Sequence, residues 1–129
     1  MRAASASFDA ELLKKACDEA HSRGKRVYLT CNTLPHNDEI VHLELFVNVA
    51  LAAGVDAMIA NDIGVFSLIK KYAPDMEIHV STQAGIVNYV TANEFYNMGA
   101  KRVVLARELS LEEIAEIRAK TPKDLEIEC

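Results

Sequence analysis

Apolar residues gather along this chain in short β-branched runs, and five of those runs stop on polar residues: Asn32 and Thr33, Asn61 and Asp62, Ser81 to Gln83, Arg107 and Glu108, and Glu128 before Cys129. Between them, apolar positions recur at helical spacing. Phe8, Leu12, Leu13, Ala16, Cys17 and Ala20 predict a first helix from Phe8 to Ser22 behind the N-cap Ser7, stopped by Gly24. A strand over Arg26 to Asn32 comes next. A second helix is predicted from Asp38 to Ala53, capped by Asn37, with Asp38 and Glu39 in its first turn and Gly54 at its end. Strand two covers Ala57 to Asn61, Asp62 caps a third helix reaching Tyr72, and Pro74 precedes strand three, Glu77 to Ser81. Helix four runs from Asn88 to Met98 and ends at Gly99, followed by strand four, Arg102 to Ala106. The segment Ser110 to Glu113 reads as a capping box opening helix five, with Ile114 and Ile117 inward; Pro122 closes it, and Leu125 to Cys129 begins a fifth strand.

Each crossover is long enough to carry a helix, which makes neighbouring strands parallel. Within the strands, Val27, Leu29 and Cys31 alternate with Tyr28, Thr30 and Asn32, Ile78 and Val80 with Glu77, His79 and Ser81, and Leu125 and Ile127 with Glu126 and Glu128. One face is apolar and the other polar. A doubly wound sheet, with helices on both faces, calls for near-continuous apolar runs; a barrel with a polar lumen calls for this alternation. The expected fold is therefore α/β, a partial TIM-type (β/α) barrel of about five parallel strands alternating with helices. A closed barrel of eight needs about 250 residues, so the chain is expected to be a single-domain barrel fragment. Open sheet edges pair readily with other strands, and self-association is expected.

Composition narrows the function classes. The 129 residues are 50% hydrophobic and 26% charged, as in an ordinary globular domain, and the net charge of -5 provides no basic field to draw nucleic acid to this chain on its own. Met1 to Ser7 is small and polar, followed by Asp9 and Glu11, which is unlike a secretory leader and points to a cytoplasmic address. No apolar stretch approaches the roughly 20 residues a membrane helix needs. Cys17, Cys31 and Cys129 are an odd number at wide spacing, fitting neither a disulfide framework nor a Cys-x-x-Cys metal site. Cys17 lies on a helix's apolar stripe and reads as core.

The segments Arg26 to Glu39, Asn61 to Phe66, His79 to Gln83 with Asn88 beyond, and Gly99 to Leu109 together resemble the collagenase-like peptidase family U32. The resemblance covers nearly the whole chain. The opening Met1 to Phe8 is similar to the family's loop after its second strand, which implies that the first βαβ portion is missing here. The resemblance further implies a barrel-type catalytic domain of bacterial proteins, peptide or protein substrates, and peptidase activity of unassigned mechanism. It also implies an alternative, oxygen-independent hydroxylation of RNA bases or a ubiquinone precursor with an iron–sulfur cluster. The family's cluster cysteines lie downstream of Cys129, so no cofactor is expected in this fragment and an iron–sulfur cluster only in an intact parent.

Candidate site residues sit at strand ends, where parallel α/β folds gather ligands. His36, on the loop after strand one, suits proton transfer near neutral pH. His79 lies on the polar face beside Ser81, as a lumen group or as a hydrogen-bonded packing residue. Arg107 presents a planar guanidinium shaped for a carboxylate or phosphate, or else pairs with Glu108. These three are expected to be catalytic. Asn32, Asn37, Asp62, Ser81, Gln83 and Glu108 are expected to bind substrate, with Asn37 and Asp62 alternatively helix caps. Glu126 and Glu128 are either an acid–base pair or a solvated face. No metal site is expected. Neither Gly-x-Ser-x-Gly nor His-Glu-x-x-His occurs. A collagenase-like hydrolase fragment is the leading expectation, with the RNA-base hydroxylation parent and a non-catalytic dimerising half barrel as its alternatives.

Overall fold

The computed structural model describes residues 9–129. Strands β1 (Tyr28–Cys31), β2 (Ala57–Ala60), β3 (Glu77–Val80), β4 (Arg102–Val104) and β5 (Glu126–Glu128) form one parallel sheet in chain order. Helices α1 (Ala10–Ser22), α2 (Asn37–Ile40), α3 (Leu43–Ala53), α4 (Ile63–Tyr72), α5 (Tyr89–Asn97) and α6 (Leu111–Ala119) alternate with them. Unbroken sequential order separates a barrel-type winding from a doubly wound one. Parallel crossovers are right-handed almost without exception, which puts every connecting helix on the same side of a sheet ordered in this way.

That side holds the core. Met58, Ile78, Val80 and Val103 from the sheet and Val47, Ala50, Phe66, Ile69 and Ala92 from the helices are all essentially inaccessible to solvent. Removing a side chain such as Phe66 from water contributes about 1.5–3 kcal/mol, so the apolar alternation decides which face the helices cover. The opposite face carries the polar residues. β1 and β5 each pair on one side only among the described residues, and Val27, Leu29 and Cys31 are half-buried.

Local chemistry sets the helix ends. Asp62 Oδ1 accepts from the Val65 N–H at 2.9 Å and Asn88 Oδ1 from the Thr91 N–H at 2.9 Å. At α6, Ser110 Oγ accepts from the Glu113 N–H while Glu113 returns a carboxylate to the Ser110 N–H at 2.8 Å, the capping box expected from sequence. Gly54 ends α3 at φ +83°, a conformation strained for residues with a Cβ. Asp56 ties three elements together: its Oδ2 accepts from the Val27 N–H at 2.6 Å and lies 2.8 Å from His21 Nε2 at the end of α1.

Several expectations need correction. Ser7 and Phe8 lie outside the described residues; the cap observed on α1 is Asp9, whose carboxylate accepts from the Leu12 N–H at 2.7 Å. The single helix expected from Asp38 to Ala53 is two, because near His42 the bonding tightens to the i→i−3 type, with the His42 N–H on the Glu39 carbonyl. His36 takes the cap position of α2 and Asn37 is its first helical residue. Strand four stops at Val104, because the Ala106 N–H leaves the sheet for the Ile86 carbonyl. Thr82 to Ala84 form a 3₁₀ turn that the sequence pattern did not show. Among the described residues, no helix is long and apolar enough to cross a membrane.

Candidate functional site

Register turns the polar face into rows. Tyr28, Ala57 and Glu77 form one, and Thr30, Ile59, His79, Arg102 and Glu126 the next. The third lies at the carboxyl ends of the strands. There the Ser81 N–H continues the ladder onto the Ala60 carbonyl at 2.7 Å and Val104 faces Glu128. Alternation places Asn61 beside Ser81 and Asn32 at the edge of this row.

The lower two rows carry an ionic lattice that reaches Glu128 in the third. His79 is 1% exposed, and its Nε2 lies 2.7 Å from Glu77 Oε1. A carboxylate can only accept, so Nε2 carries the proton. The other oxygen, Oε2, accepts from Arg26 Nη2 at 2.7 Å. Tyr28 meets the His79 ring edge-on, centroids 4.7 Å apart, and has the guanidinium carbons of Arg26 and Arg102 at 5.2 and 5.5 Å from its own centroid. Arg102 in turn donates through Nε and Nη2 to Glu126 Oε2 at 2.8 and 2.6 Å, and through Nη1 to Glu128 Oε2 at 3.2 Å.

These contacts fix the charge states. Burial pushes the Glu77 carboxyl up, but hydrogen bonds from Arg26 and His79 outweigh it and hold the group below its ordinary value. The hydrogen bond to Glu126 raises Arg102, and the one to Glu77 raises Arg26. The lattice lies toward the amino ends of the strands, the end that in barrels supports stability rather than chemistry. It holds the His79 ring in place and occupies its Nε2. Arg26, Tyr28, Glu77 and Arg102 were not singled out from sequence. Their signal was the i, i+2 pairing of Arg26 with Tyr28 and Glu77 with His79 on one strand face.

The carboxyl ends carry the other candidates. Ser81 is buried and its Oγ accepts from the Gln83 N–H at 3.3 Å, while Gln83 itself is exposed. Asp62 caps α4, the duller of its two expected roles. His36, Asn37, Arg107 and Glu108 are exposed on loops or helix starts. Among the described residues no hydrogen bond joins His36 to His79, nor His79 to Ser81, and no ion pair involves Arg107 or Glu108; Ser81 and Asn61 are the groups that the sheet itself brings together.

The cysteines do not form a ligand set. Cys17 is buried on α1, Cys31 faces the helices with its thiol pushed up to about 11 by burial, and Cys129 is exposed beyond β5. Among the described residues no group of three His, Cys, Asp or Glu side chains is placed to hold a metal. These residues therefore do not fit an iron–sulfur cluster.

A family profile described as Peptidase family U32 matches residues 1–129. The tRNA hydroxylation protein P of Escherichia coli K12 is 41% identical over 128 residues, 99% of this chain and 28% of that protein. The 23S rRNA 5-hydroxycytidine C2501 synthase of the same organism is 35% identical over 107 residues, 83% of this chain and 16% of that protein. A solved structure, the U32 peptidase Mk0906, superposes with a TM-score of 0.73 over 92% of this chain and 51% of its own, at 20% identity, which shows a shared fold. The chain thus spans less than a third of these two curated relatives. The expectation of a collagenase-like, peptide-cleaving hydrolase is overturned, because these relatives are named for RNA hydroxylation. Sequence profile and fold agree on one assignment: this chain belongs to peptidase family U32.

Proposed function

We propose that this chain is a barrel segment of an RNA-hydroxylation protein, supplying a rigid polar wall and the strand-end rim against which a base is held. The observation that carries the reading is the 41% identity to a tRNA hydroxylation protein across 99% of the chain. The geometry supports it in two ways. The lattice from Arg26 to Glu126 fixes the lower lumen, so ligand chemistry is left to the carboxyl-end row above. Arg107 and His36, exposed at that same end, suit contacts to phosphate oxygens of RNA.

With a net charge of -5, the affinity for RNA is supplied by other parts of the longer protein. Any iron–sulfur cluster of that protein is ligated outside the described residues. The edges of β1 and β5 are continued by strands of the same longer chain, in place of the self-association expected from sequence.

Deletion of the parent gene followed by mass spectrometry of nucleosides from total tRNA and rRNA tests the reading. The expected result is loss of a hydroxylated pyrimidine, restored by the full-length gene. An unchanged nucleoside profile refutes the proposal.

A further inference from the structure

Asn61 is a strand-end residue whose chemistry the fold leaves open. It is half-buried, directly after β2, yet its Oδ1 is shut off from solvent and accepts no hydrogen bond. An amide arm stranded in this way costs about 1–3 kcal/mol, and buried polar atoms are otherwise nearly always paired. Its neighbour in the row, Ser81, is 5% exposed, and Ser81 Oγ is used as an acceptor from the Gln83 N–H. Among the described residues no acceptor takes the hydroxyl proton of Ser81. An unpaired amide and an unassigned hydroxyl donor thus stand side by side on the polar face, above a lattice whose charged groups are paired with one another.

Two neighbouring groups are already engaged. Asp62 spends its carboxylate on the cap of α4, and the Tyr28 ring is flanked by two guanidiniums and closed off as a stacking platform. Asn61 has no such engagement. The terminal torsion of an asparagine is broad and roughly two-fold. Exchanging the two arms loses no bond at Oδ1, because that oxygen has none to lose.

We propose that Asn61 and Ser81 together read the hydrogen-bonding edge of a flat, neutral heterocycle, the N–H and C=O (or N–H and ring N) edge of a pyrimidine base. The inference rests on the RNA-hydroxylation reading and deepens it by naming the contact. The free exchange of arms lets one asparagine face either uracil, which presents an N–H beside a carbonyl, or cytosine, which presents an amine beside a ring nitrogen. Selection between the two bases then comes from other parts of the site. Ser81 contributes its O–H to whichever acceptor the base presents.

The test uses the full-length parent carrying Asn61→Ala or Asn61→Asp, expressed in the deletion strain, with two readouts. Hydroxylated nucleoside is expected to fall at least tenfold in both variants, while the Tm of purified Asn61→Ala is unchanged or raised, since it removes an unpaired polar atom. Hydroxylation within twofold of the unsubstituted protein overturns the inference. So does a Tm lowered by more than about 5 °C in Asn61→Ala, because the residue is then a structural one. If the unsubstituted parent hydroxylates no nucleoside, the functional reading fails, and the Tm comparison still decides whether Asn61 supports the fold.

Discussion

Replacing Glu77 with alanine removes the carboxylate on which the lower lumen is organised. Two groups lose their acceptor. His79, 1% exposed, is left with an Nε2–H facing no partner in a dry site, at a cost of about 1–3 kcal/mol. Arg26 has a side chain 48% exposed and rehydrates easily, so its lost pair adds only about 0.2–1 kcal/mol. The expected destabilisation is therefore about 1.2–4 kcal/mol, or roughly 5–16 °C in Tm for a domain of this size. Glu77→Gln costs less, since its amide oxygen still accepts from His79. The pH dependence has a definite sign. The folded-state value of Glu77 is depressed below its ordinary 4.5, so its stabilising contribution is complete above that value and fades as pH falls through the lower, folded-state value. Thermal unfolding by circular dichroism at pH 7 and pH 3 checks both statements. A Glu77→Ala chain melting within 2 °C of the original at pH 7 refutes the lattice as a stabilising element, and a gap that is the same size at pH 3 refutes the charge assignment.

Two further outcomes follow from other contacts. Burial holds the Cys31 thiol at about 11, against 9.0 for a free thiol, so at pH 8 its thiolate fraction is roughly a hundredfold below that of a free thiol, and its alkylation is expected to be far slower than that of exposed Cys129. Peptide mapping after timed iodoacetamide exposure reads the two rates, and equal rates contradict the packing of Cys31 beneath the helices. Arg118 of α6 donates to the carbonyls of Leu125 at 2.7 Å, Thr121 at 3.2 Å and Pro122, clamping the turn that leads into β5. Arg118→Met keeps the aliphatic stem and loses the donors, and faster hydrogen exchange across residues 120–128 is expected; protection unchanged from the original rules the clamp out.

Period-two alternation was enough to assign faces to β1, β3 and β5, because each residue advanced along a strand turns the side chain over and only one face can be covered by helices. The helix stops at Gly54 and Gly99 and the capping box at Ser110 were equally legible, since caps depend on residues three or four apart. The break at His42 was not, for apolar spacing runs through it and nothing in the local pattern records the tightened turn. Family membership, too, was readable from motif order, while the peptidase function attached to the family's name was not what these relatives carry.

The site was only half visible. His79 and Ser81 were evident as polar residues on a strand's wet face, but Arg26 and Glu77 stand 51 positions apart and Arg102 and Glu126 stand 24 apart. Their pairing exists only once strand register sets which rows align. The same holds for Asn61: its identity is written in the chain, but whether its amide finds a partner depends on what the neighbouring strands bring alongside. Local spacing fixes what a short-range hydrogen bond or an apolar stripe can reach, and everything that depends on register between distant strands was decided by the tertiary structure.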